Sequence, residues 1–121
     1  MKILIAGSRT LHPDNWAWAA ESLINIIRAD CPDKGYELIT GTAQGIDQIP
    51  YKIHGWVTEF PADWDTHGKK AGGIRNAEMA EYCDAAIIIW DGESPGTKNM
   101  IANMNRVKKP YILYKVENNN G

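Results

Sequence analysis

The sequence predicts an α/β fold in which a mainly parallel sheet is sandwiched between helices, and three observations carry that prediction. Two short apolar runs, Ile3 to Ala6 and Ala85 to Trp90, show no polar alternation. Such runs suit strands covered on both faces. Apolar stripes of helical spacing lie between the strand candidates, so strand and helix alternate along the chain. Glycine-rich or polar segments follow every strand candidate except the last, as expected when loops gather at the carboxyl ends of parallel strands.

The weaker strands are Tyr36 to Thr40, Val57 to Phe60 and Tyr111 to Tyr114. Trp16, Ala20, Leu23 and Ile27 form the stripe of a first helix, with Pro13 at its first position. Arg75, Met79 and Tyr82 share a face before the Ala85 strand, and Met100, Met104 and Val107 share one before the last strand. Their methionines and tryptophans read as core. Ile46, Ile49 and Ile53 also have helical spacing, but Pro50 interrupts them. The expectation there is a late helix start or a kink.

The 121 residues favour one domain, expected over residues 1–115, with a frayed polar tail over 116–121. A chain of this size buries roughly two-thirds of its unfolded surface, enough for a real core. Hydrophobic residues at 44% and charged residues at 23% place it with globular proteins and not with disordered ones. A net charge of -2 gives no basic field for duplex nucleic acid. Cys31 and Cys83 lie outside any C-x-x-C pattern and read as reduced thiols, not as a disulfide framework or a zinc site. His12, His54 and His67 lack metal-ligand spacing, so no metal is assigned. The opening MKILIAGSRT turns polar too soon for a signal peptide, and no apolar stretch approaches the roughly 20 residues of a membrane helix. The expected location is the cytoplasm.

The chemistry gathers in four segments: Gly7-Ser8-Arg9, Thr40 to Asp47, Pro61 to Asn76, and Asp91 to Asn99. Phosphate binding gives each a rationale. Glycines let backbone N–H groups approach oxygens, and a helix N-terminus adds partial positive charge. Gly7, Gly41, Gly45, Gly96 and Thr97 fit that role. Ser8, Ser94 and Thr97 offer hydroxyls. Arg9 and Arg75 offer charge-assisted bonds to phosphate. Asp47 or Asp91 would accept from a ribose hydroxyl, and Trp64 would stack on a base. His67, Lys69 and Lys70 form a small basic cluster, read as an anion-binding lid or as a solvated loop. Thr42, Ala43, Asp63, Asn76 and Gly92 complete the candidate ligand-binding set from the same segments. Each signal alone is weak: glycines after strands are usually turn chemistry, and a lone Arg9 is usually a surface ion pair. Their coincidence on one rim favours a site. There is no Walker A loop and no intact G-x-G-x-x-G.

GSR after the first strand, GTAQGID after the second, FPADWDTHGKKAGGIRNAEM and CDAAIIIWDGESPGTKNMI resemble the SLOG superfamily, in its YspA/YpsA-related branch. The resemblance runs from Ile3 to about Tyr114. It implies a Rossmann-like fold, sheet order 3-2-1-4-5, a nucleotide-type ligand, a homodimer, and occurrence in bacteria and their phages. Two relatives bracket the function. The LOG phosphoribohydrolases cleave nucleoside monophosphates at the N-glycosidic bond. Arg75, Gly96 and Thr97 match their motifs, but their catalytic Glu falls at Met100 here. Methionine has no acid or base to offer, and Glu78 or Asp91 would have to substitute. The DNA-processing protein DprA holds single-stranded DNA on a similar rim, and GTAQGID and Arg75-Asn76 resemble its segments. This chain lacks interleaved aromatics along a basic groove. Thr42 stands where the branch usually has a second glycine, and Pro50 is atypical in the helix that follows.

The reading is therefore binding of a nucleotide or nucleotide-derived phosphate ligand at the carboxyl rim, for sensing or sequestration, with no cofactor and no catalytic residue assigned. The alternatives are a nucleoside-monophosphate phosphoribohydrolase and a single-stranded nucleic-acid module.

Overall fold

The computed structural model describes residues 1–53 and 55–117. His54 and residues 118–121 of the expected polar tail lie outside the described residues. The elements in chain order are β1 (Lys2–Gly7), α1 (Pro13–Ile27), β2 (Glu37–Thr40), α2 (Pro50–Ile53), β3 (Val57–Glu59), α3 (Trp64–His67), α4 (Ala71–Tyr82), β4 (Ala85–Trp90), α5 (Pro95–Val107) and β5 (Tyr111–Lys115). Short 3-10 turns at Gly45–Gln48 and Gly68–Lys70 precede α2 and α4. The five strands form one all-parallel sheet in the order β3-β2-β1-β4-β5. This is the architecture and strand order the sequence predicts.

The uninterrupted apolar runs are explained by a core on each face of the sheet. In β1, Ile3 and Ile5 point to one face while Leu4 and Ala6 point to the other. In β4, Ile87 and Ile89 oppose Ala86 and Ile88 in the same way. One face is covered by α1, through Ala20 and Ile24, and by Ile46 and Ile49. The other is covered by α4 and α5, through Met79, Ala80, Met100 and Met104. Each fully buried side chain of this size contributes roughly 1.5–3 kcal/mol over an exposed one. On the predicted α1 stripe Ala20 is buried, while Trp16, Leu23 and Ile27 are partly buried against the same core.

Local chemistry sets the helix bounds. Pro13 opens α1, and His12 Nδ1 accepts from the Asp14 amide at 3.2 Å. Arg28 closes the turn after α1 by donating to the carbonyls of Pro32 and Lys34 at 2.7 and 2.6 Å. The Pro50 conflict resolves as a late start: a 3-10 turn carries Ile46, and α2 begins at Pro50 itself, where a missing N–H costs nothing. Among the described residues no helix is long and apolar enough to cross a membrane.

Candidate functional site

Strands β1 and β4 are neighbours, but the crossover from β1 runs through α1 on one face and that from β4 runs through α5 on the other. The loops leaving them diverge and open a crevice at the carboxyl ends, the switch point at which open α/β sheets bind ligands. A cavity of about 650 Å³ occupies this position, well within the range of ligand sites. Ala6 and Gly7 end β1 at its floor. Gly41 to Gln44 and Asp47 form the wall after β2, and Pro61, Ala62 and Trp64 form the wall after β3. Gly72, Gly73, Arg75, Asn76 and Met79 come from α4, and Ser94 to Thr97, Asn99 and Met100 from the start of α5.

The loop after β2 is shaped by its own side chains. Thr40 Oγ1 donates to the Asp47 carbonyl at 2.6 Å and accepts from the Thr42 amide at 3.1 Å. Gln48 Nε2 donates to the Ala43 carbonyl at 2.7 Å. Thr42 holds φ 65, the left-handed region that β-branched residues avoid. Strain of this kind, of order 1–3 kcal/mol, clusters where a loop is fixed by its surroundings, often at ligand sites.

Arg75 is half-buried in the opposite wall. Its Nη1 donates to the Gly41 carbonyl, and its Nε donates to Asn76 Oδ1 at 3.0 Å. Its Nη2 has no acceptor among the described residues. Asn76 is buried and ties α4 to α5, donating to the Gly96 carbonyl at 3.2 Å and to Asn99 Oδ1 at 3.0 Å. Arg9 is exposed and has no ion-pair partner among the described residues. At the start of α5, Ser94 caps nothing with its side chain. The Gly96 and Thr97 amides have no acceptor among the described residues, and they sit at the positive end of the helix dipole. Trp64, 58% exposed, lies over α4 against Gly72.

Asp47 supplies the one carboxyl among the lining residues. It is 6% exposed. Burial pushes its carboxyl up to about 6, against the opposing pull of the Ala43 and Gly7 amides and of the Arg75 and Arg9 charges. Burial also lowers the Arg75 guanidinium, with Asp47 acting against it. No salt bridge joins the two side chains.

Of the sequence candidates, Gly7, Arg9, Gly41, Thr42, Ala43, Asp47, Trp64, Arg75, Asn76, Ser94, Gly96 and Thr97 line the cavity. The others do not line it, and most have structural work instead. Ser8 is wholly buried; its Oγ accepts from the Asp91 amide at 2.9 Å and its carbonyl accepts from Ile46, so it clasps β1 to its neighbours. A Cβ on Gly45, at φ 79, would lie 2.3 Å from the Ser8 carbonyl oxygen, so only glycine lets the turn pass there. Asp91 accepts from the Glu93 and Ser94 amides at 2.8 and 2.9 Å and from Thr10 Oγ1 at 3.1 Å. Its slight burial is outweighed by these bonds, and its carboxyl is held low. Gly92, at φ 86, turns the chain beside Lys115. Asp63 caps α3, accepting from Thr66 at 3.2 Å. His67, Lys69 and Lys70 are exposed and do not line the cavity. Glu78 is exposed on α4 and does not line the cavity.

Sequence reasoning missed Gln44, Gly72, Gly73 and Asn99 in the lining. Gly72 and Gly73 lie in the first turn of α4, and a glycine pair reads in sequence as a turn and not as the wall of a cavity. Met100, noted for the Glu it replaces, is 1% exposed and belongs to both core and cavity floor.

No family model and no solved structure matches the chain. The chain is similar to the Gene 61 protein of Mycobacterium phage D29, with 27% identity over 123 residues, covering 93% of this chain and 95% of that protein. It has a phage-encoded relative.

Proposed function

We propose that this protein binds a nucleotide or nucleotide-derived phosphate ligand in the cavity at the carboxyl rim, and that it holds the ligand without transforming it. One observation carries the reading. Arg75, Arg9 and the uncapped start of α5 converge on a cavity of about 650 Å³ at the switch point between β1 and β4. Two guanidiniums and free helix amides against one buried carboxyl favour an anion, and their spacing on separate walls suits a phosphate with a larger group attached. The exposed Trp64 ring at the mouth offers a stacking face for a base. The resemblance to SLOG proteins points to the same ligand class. With a phage relative, the reading extends to a protein that senses or sequesters a nucleotide in the host cytoplasm.

Met100 at the floor removes the acid that phosphoribohydrolysis would use there. The test is incubation of the purified protein with a cellular nucleotide extract, followed by mass spectrometry of bound and free fractions. A nucleotide retained intact supports the reading. A nucleotide consumed, with free base released, overturns it in favour of hydrolysis, with Asp47 the carboxyl to suspect. Retention of oligonucleotides alone points to a single-strand module.

A further inference from the structure

We propose that binding of an anion in this cavity is coupled to uptake of a proton by Asp47, so that the site takes an anion and a proton together. The proposal rests on the anion-binding reading above and adds the regulation of that site. Its basis is the placement of a nearly inaccessible carboxyl beside the two cationic groups that line the same cavity.

A Cβ built on Gly41 would lie 2.6 Å from Arg75 Nη1 and 2.9 Å from Asp47 Oδ2. Arg75 and Asp47 therefore flank one point, yet they form no ion pair among the described residues. The carboxylate takes the Ala43 amide at 3.2 Å, and the charges acting on it are Arg75 and Arg9. The phenol of Tyr51 on α2 also feels Asp47, and it is hydrogen-bonded to Glu59. On the other elements packed against this turn, Asp14 of α1 and Lys52 of α2 pair with each other at 2.7 Å, away from the cavity. Burial of the Asp47 charge is opposed by the Ala43 amide, by Arg75, by the Gly7 amide and by Arg9, so the two guanidiniums supply part of what favours its ionised form. An anion that draws on the same guanidiniums removes their part of that support and brings a second negative charge close by in a poorly solvated wall. The carboxylate then takes a proton from solvent on an Oδ atom, and no other bond changes. Burial already raises the carboxyl to about 6, so a modest further rise brings the exchange into the neutral range.

The experiment titrates the whole protein with sodium sulfate, a dianion across the pH range used, by calorimetry at pH 5 and pH 8. The wild type should bind sulfate about tenfold more weakly at pH 8, equivalent to a rise of about one pH unit in the Asp47 midpoint on binding. Asp47→Asn should bind with equal affinity at both. A second measurement needs no variant: the Asp47 carboxyl carbon, followed by NMR, should titrate at higher pH with sulfate present. Sulfate bound equally at pH 5 and pH 8, or a pH dependence that survives in Asp47→Asn, overturns the coupling and leaves the anion site standing. Absence of sulfate binding at either pH overturns the anion site, and the coupling with it.

Discussion

Arg75 is the side chain on which the anion reading turns. It is fixed by Gly41 and Asn76, lines the cavity, and has no acceptor for Nη2 among the described residues. Arg75→Ala should weaken ligand binding by about 1.5–3 kcal/mol while the protein stays folded; circular dichroism with a binding titration checks both. Thr42 makes a different prediction, because its φ of 65 is strained for a β-branched residue. Thr42→Gly should raise the unfolding free energy read from urea denaturation by about 0.5–1 kcal/mol after the entropy of glycine is counted. Asp47 sets a pH dependence of stability. Its folded carboxyl is raised by burial from 3.8 to about 6, so the folded state holds the proton more tightly. The stability it contributes is full below about 3.8 and is lost as pH rises through about 6. Asp47→Asn should remove that slope, worth on the order of 2–3 kcal/mol between those limits, as read from urea midpoints at pH 4 and pH 7. At this scale the sequence spoke through residue types. Arginines and glycines after strands were legible because parallel sheets gather such loops. The jobs of Ser8 and Asp91 were not, since a hydroxyl and a carboxylate that clasp loops look in sequence like ones that bind ligand.

The elements were legible where one physical requirement dominated. Strands β1 and β4 carry uninterrupted apolar runs because both of their faces are covered, and their predicted bounds agree with the sheet within a residue. Pro50 signalled a late helix because proline suits only a first turn. The short 3-10 turn at Gly45–Gln48 was not legible, since Ile46 and Ile49 keep helical spacing on either geometry. Gly7 ties an element to the site: a Cβ there would lie 2.1 Å from the Ile89 carbonyl. Gly7→Ala should cost about 3 kcal/mol or more by forcing β1 and β4 apart at the cavity floor. Thermal unfolding measures it; a variant as stable as the parent would show that the β1–β4 approach is not needed.

The whole molecule puts its most buried strands under its candidate site and its thinnest strand at an edge. β1 and β4 are almost wholly buried, whereas β3 has three half-exposed or exposed residues. Native-state hydrogen exchange should therefore be slowest in β1 and β4 and fastest among the strands in β3. The sheet order came from resemblance and alternation together; apolar patterning alone does not order strands. The cavity at the β1/β4 switch point follows from that order. The central claim is that this cavity is an anion site for nucleotides. A titration with a mixture of ribonucleoside monophosphates, followed through the backbone amide resonances, tests it most directly. The account predicts saturable shifts at Gly41, Ala43, Gly96 and Thr97, with Ile112 at the far end of the sheet unmoved. Shifts absent from those four amides, or centred on Ile112, would contradict it.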